Sequence, residues 1–281
     1  MLKRRVHFLF NCMLTLISAA AIPFSVSAQK NTVMSDPDSI QLLKKLAVIF
    51  KDYKKQPVQV NMQYSVSTNY VTNPSDTMSM KGSFFLSGTN AYLSFGDTEQ
   101  ILSDSVSVLV NNSSKRLLVF SESRKLMSQM KKFSDLGLPD SNQAAILDQY
   151  FVNKSQGVNG LILESRSRLY PGGLANNQMN IIYDKESKQP AEVIMVNRLL
   201  IPIEEMMPGS LTQSKYPRDI VLIGNREFMI KNKTIHYVFE TIKHDSNTVM
   251  PVKISDRVVR SEEGKFVGSP GYEMYSVKEQ N

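Results

Sequence analysis

The chain has 281 residues, with Lys+Arg 33 against Asp+Glu 26, a formal net charge of +7, and 42% hydrophobic residues. This is globular composition and excludes the polar, highly charged signature of disorder. Residues 1–28 carry Lys3, Arg4 and Arg5 and no acid, which leaves 30 basic against 26 acidic groups, or +4, in the remainder. That balance speaks against nucleic acid as a partner, which needs a dense basic patch.

Lys3-Arg4-Arg5 opens an N-terminal segment that is mostly apolar from His7 to Ala21 and ends in Val26-Ser27-Ala28. A basic start, an apolar run and small residues at the end read as a secretory signal peptide, with cleavage expected before Gln29, rather than as a membrane anchor, whose run Asn11, Pro23 and the serines would interrupt. The expected location is therefore periplasmic or otherwise exported. Cys12 is the single cysteine and would leave with that segment. The mature chain would then carry no disulfide, thiol nucleophile or Cys-ligated metal.

Leu42, Leu43, Leu46, Ile49, Phe50 and Tyr53 recur at three- and four-residue spacing, which predicts a helix from Asp38 to Tyr53. After Pro57 the period changes to two. Val58, Val60, Met62, Tyr64 and Val66 alternate with Gln59, Asn61, Gln63 and Ser65, the pattern of a half-buried strand. Further strands are expected over Met78–Leu86, Ala91–Phe95, Glu99–Leu102, Ser105–Val110 and Leu117–Phe120. The turn sequences Ser87–Asn90 and Asn111–Ser114 separate them, as in an antiparallel meander.

Glu122–Leu136 reads as helix or extended connection, and Asp140–Phe151 as a helix with Ala144, Leu147, Tyr150 and Phe151 on one face. Strands resume at Leu161–Ser167, Met179–Tyr183 and Ala191–Leu199, and then at Ile220–Ile223, Thr234–Thr241 and Val252–Val259. The order of helix, strands, helical middle and strands predicts an α+β fold with one large, curved antiparallel sheet. Residues 29–281 are expected to form a single domain of that kind, with an extended C-terminal β region.

Motifs for catalysis are sparse. No G-x-S-x-G elbow occurs, and Ser128–Lys131 fits S-x-x-K without its partner motifs. His236 and His244 remain after processing, with no H-E-x-x-H spacing, so no metal and no cofactor are expected. Asp97, Glu99 and Asp104 lack the glycine and alternation of a calcium loop and read as turn and edge residues. Gly172-Gly173 reads as a turn. Methionine is abundant, 15 in all, and thioethers suit a deformable apolar cavity as well as an ordinary core.

The layout from Leu42 to Val119 resembles the periplasmic lipoprotein carriers of the LolA type and their LolB-like relatives. The residues that carry the likeness are Gln41–Leu46, Val58–Ser67, Lys81–Leu86, Tyr92–Phe95, Leu102–Val110 and Lys115–Val119. The later hairpin Met179–Val196, turning at Asp184, is similar to a late strand pair of that family. The resemblance implies an incomplete barrel closed by helices over an apolar cavity. The expected function is a non-enzymatic envelope protein that binds a lipid or an acylated protein. Candidate cavity residues are Met62, Tyr64, Met80, Phe84, Leu93 and Ile181. The alternative is a structural or assembly component whose partner is another envelope protein, without a lipid ligand.

Overall fold

The computed structural model describes residues 37–53, 55–71, 74–121, 143–205, 219–245 and 247–280. The N-terminal segment, the stretch Glu122–Leu136 with its S-x-x-K pattern, and Met127, Met130, Met206 and Met207 lie outside the described residues.

Helix α1 (Pro37–Tyr53) leads into strands β1 (Val58–Thr68), β2 (Met78–Ser87), β3 (Asn90–Phe95), β4 (Thr98–Leu102), β5 (Ser107–Asn111) and β6 (Arg116–Phe120). A short helix α2 (Gln143–Gln149) precedes β7 (Tyr150–Lys154), β8 (Gly160–Ser165), β9 (Asn177–Tyr183) and β10 (Pro190–Pro202). Then come β11 (Ile220–Ile223), the long β12 (Arg226–Lys243), β13 (Val258–Arg260), β14 (Phe266–Gly268) and β15 (Ser276–Gln280).

Thirteen strands form one sheet in the order β15-β6-β5-β4-β3-β2-β1-β12-β10-β9-β8-β7, with β11 paired to β12. Every pairing is antiparallel except β15 on β6. Among the described residues the sheet does not close: β15 and β7 are its two ends. Register shifts at Asn61/Met62 and at Pro190/Glu192 are points where a strand bends and its twist increases. The fold is thus mostly β, with few helices among the described residues.

Alternation divides the sheet into two faces. The inner face buries one large cluster drawn from β1–β4, β7–β10 and β12, to which α1 adds Leu43 and Leu46 and α2 adds Leu147. On β2 to β6 the outer face is also apolar, through Phe85, Tyr92, Ile101, Val108, Val110, Leu117 and Val119. The C-terminal segment covers it with Met250, Val252, Ile254, Val258, Phe266, Tyr272 and Tyr275. The extended C-terminal region is therefore a second layer, and it buries what would otherwise be a wet face.

That layer is held by polar contacts as well. Arg257 forms an ion pair with Glu99, whose other oxygen accepts from Asn112 Nδ2 at 3.1 Å. Tyr275 Oη donates to Asn112 Oδ1 at 3.0 Å. Burial first, and the Glu99 charge second, push the Tyr92 hydroxyl pKa up.

Two expected elements differ. Asp140–Phe151 is not one helix: α2 stops at Gln149, and Tyr150 and Phe151 begin β7. Pairing with β8 overrides the local helical spacing, and strand alternation separates the two rings. Tyr150 is buried in the core, while Phe151 faces outward beneath the Arg166 guanidinium, 3.9 Å from its ring centre. Val252–Val259 is a strand only from Val258 onward, after a short 3-10 turn at Ile254–Asp256.

Candidate functional site

The inner face of the sheet is the candidate site, and its register orders the side chains into rows. Leu163, Met179, Met195, Ile235, Val66 and Met78 lie opposite one another across β8, β9, β10, β12, β1 and β2. Two residues along each strand, Leu161, Ile181, Val193, Tyr237, Tyr64 and Met80 form the next row. Val60, Phe84 and Leu93 continue the pattern on β1, β2 and β3. Strand after strand places side chains of one row about 5 Å apart, so each row is a continuous apolar strip.

All six residues singled out from the sequence belong to this one cluster. Tyr64, Met80 and Ile181 share a row, Met62 is beside it on β1, and Phe84 opposes Leu93. Their depths differ. Met62 is 1% exposed, Phe84 0% and Ile181 1%, whereas Met80 is half-buried. Met78, Phe95 and Met179 are half-buried on the same face.

An aromatic group stands among these residues. Tyr64 meets Phe95 edge-on at 6.1 Å between ring centres and Tyr237 at 5.3 Å. Phe95 lies over the backbone of Gly82, its cross-strand partner. A Cβ at Gly82 would fall 2.4 Å from Phe95 Cε1, so the ring needs the glycine beneath it. Phe95 and Tyr237 are not among the candidates that the sequence offers, although the alternation of Ile235, Tyr237 and Phe239 carries the signal for Tyr237; Met195 belongs to the methionines that suit an apolar cavity.

Outward from β1, β12 and β10, polar pairs stand among the apolar Ile194, Val196 and Val238. Asn61 Nδ2 donates to Thr241 Oγ1 at 3.0 Å, and His236 Nε2 lies 2.8 Å from Glu192 Oε2. His236 is therefore a half-exposed surface partner of a carboxylate. Glu99, expected as an edge or turn acid, is a buried partner of Arg257.

No family model matches the chain, and no curated protein matches it. Among solved structures, an uncharacterized conserved protein from Thermus thermophilus aligns over 86% of this chain and 99% of its own at 7% identity and a TM-score of 0.33. A DUF1329 family protein from Desulfovibrio piger aligns over 76% and 96% at 12% identity and a TM-score of 0.29. A LolA superfamily protein from Nitrosomonas europaea aligns over 75% and 94% at 11% identity and a TM-score of 0.24. TM-scores of this size do not fix a fold, which rests here on the strand pairing itself.

Proposed function

We propose that the chain is a non-enzymatic, exported envelope protein that takes an apolar ligand, the acyl chain of a lipid or lipoprotein, against the inner face of its sheet. The observation that supports this most is the apolar strip that crosses six strands with Met78, Met195 and Met179 in one row. Thioether side chains adjust their shape to a flexible chain at little cost. Each methylene removed from water contributes about 0.8 kcal/mol. The half-buried Met78, Met80, Phe95 and Met179 are where an acyl chain would first make contact, and α1 and α2 would act as its cover. Export rests on the basic start and apolar run of the N-terminus.

A second reading has its own support. Met62, Phe84 and Ile181 are essentially inaccessible, as in a core that has no room for a ligand. In that reading the protein is a structural or assembly component, and another envelope protein is its partner. Extraction of the purified protein followed by mass spectrometry separates the two. A stoichiometric lipid, or saturable uptake of a fluorescent fatty acid, is the expected result. A clean protein without uptake would leave the assembly reading.

A further inference from the structure

A cleft of about 480 Å³ opens on the outer face beside the connection between β8 and β9. Glu164, Arg168, Gly173, Leu174, Gln178 and Arg198 are among the residues that line it. Glu164, Gln178 and Arg198 point outward by the same alternation that turns Leu163, Met179 and Met195 inward. The cleft and the apolar face are thus on opposite sides of the sheet.

The cleft brings together two guanidinium groups and one carboxylate. Arg168 Nη1 donates to Glu164 Oε1 at 2.6 Å. Arg198 Nη1 donates to the Ala175 carbonyl at 3.0 Å, and its Nη2 to Gln178 Oε1 at 3.1 Å. Both of these acceptors are neutral. Among the described residues no carboxylate lies within ion-pair distance of Arg198. The two bonds hold its guanidinium plane in place and leave further N–H groups for another acceptor. Gly173 on its rim leaves no room for a side chain, because the Tyr170 ring is 2.5 Å from where its Cβ would stand. Leu174, 46% exposed, is also part of the lining.

We propose that this cleft binds a phosphate-type oxyanion between Arg168 and Arg198. A half-buried cation without a counter-charge among the described residues favours an anion, and the planar fork of arginine matches two oxygens of a phosphate. Glu164 occupies Arg168 when the cleft is empty and opposes a second anion. The anion is either a soluble phosphate ester or the headgroup of a phospholipid. The site does not depend on whether the inner face takes a ligand.

Calorimetry with inorganic phosphate and with glycerol phosphate tests the first source. Co-sedimentation with phosphatidylglycerol against phosphatidylcholine vesicles tests the second. Saturable binding that weakens with salt is expected in one of the two arms. Arg198→Gln and Arg168→Gln should each weaken it about tenfold, the equivalent of one lost charge-assisted hydrogen bond. Glu164→Gln should strengthen it. Binding in the soluble arm assigns a phosphate ester, and binding only to anionic vesicles assigns a headgroup. If Arg198→Gln fails to fold by circular dichroism, the more exposed Arg168→Gln and Glu164→Gln decide the matter. Absence of binding in both arms, or binding indifferent to Arg168→Gln and Glu164→Gln, overturns the proposal.

Discussion

Arg257 donates to a single oxygen of Glu99 twice, from Nε at 3.2 Å and from Nη2 at 2.8 Å. The two residues join the C-terminal layer to β4, and their side chains are 15% and 10% exposed. The guanidinium also lies over the Tyr272 ring, 4.7 Å from its centre. Charge, hydrogen bonding and ring stacking therefore meet at one contact between two segments that are far apart in sequence.

Arg257→Met should destabilise the protein by about 3 kcal/mol, because it leaves the Glu99 carboxylate buried without its cation. Glu99→Leu in the Arg257→Met background should recover part of that loss, since no charge is then left unpaired. Denaturant unfolding of the two single variants and the double variant measures the coupling. Strict additivity would mean that the pair does not hold the C-terminal layer in place.

Gly82→Ala should cost about 1–3 kcal/mol through overpacking against the Phe95 ring. The contact is with a side chain, so relief is available: Phe95→Leu added to Gly82→Ala should be less destabilising than the sum of the single changes. Thermal melts of the three variants show this directly. A neutral Gly82→Ala would mean that the ring leaves the glycine freely.

Much of this architecture is legible in the sequence where one face is buried and the other is wet. The alternation of Val58, Val60, Met62, Tyr64 and Val66 specifies β1, and the inner residues are buried as it requires. β7 is not legible, because Leu147, Tyr150 and Phe151 keep helical spacing and only the distant β8 decides their conformation. The length of β12 is hidden by Lys231 and Lys233 at inner positions; Lys231 is buried there with Asp76 at 2.8 Å. β15 is polar throughout most of its length and exists through its parallel pairing with β6. For the candidate site, the face of each residue follows from the period. Its depth does not, since Met62 and Met80 occupy neighbouring strands and differ in how far the sheet covers them.

Stability should decline at alkaline pH. Burial raises the pKa values of Tyr92, Tyr150 and Tyr272 above the ordinary tyrosine value. Below about pH 10 these phenols are neutral in both the folded and the unfolded chain, and their contribution is fully present. Above that pH the unfolded chain ionises first, so the contribution is lost as pH rises toward the raised native values. Phenolate absorbance should show a subset of the 11 tyrosines titrating late in the folded protein and normally in denaturant. A single ordinary transition in the folded state would contradict the burial of Tyr92 and Tyr150.

The two faces of β1 give the strongest contrast in stability. Met62 is 1% exposed, whereas Gln63 is exposed and its side chain donates to Ser79 Oγ at 3.4 Å. Met62→Asp should cost several kcal/mol, about 3 or more, by burying an unpaired carboxylate. Gln63→Asp should change stability by about 0.5 kcal/mol or less. Equal effects in chemical denaturation would remove the inner and outer assignment of β1.

Met62 and Met80 together separate a packed core from a ligand face. Met62→Ala removes a fully buried side chain and should cost about 2–5 kcal/mol. Met80 is half-buried opposite Tyr64, so Met80→Ala should cost much less, about 1 kcal/mol. If acyl chains bind where the face is still accessible, Met80→Ala should nevertheless weaken fatty-acid uptake several-fold, at a temperature where both wild type and variant are folded. Met80→Lys should abolish uptake, since an ammonium group at the contact must be desolvated by the incoming chain. Ser79→Lys, one residue along β2 and turned to the outer face, supplies the same charge on the side away from the ligand and should leave uptake intact. Equal loss of uptake in Met80→Lys and Ser79→Lys would mean that charge acts on the protein as a whole. Intact uptake in both would place the acyl chain away from the methionine rows.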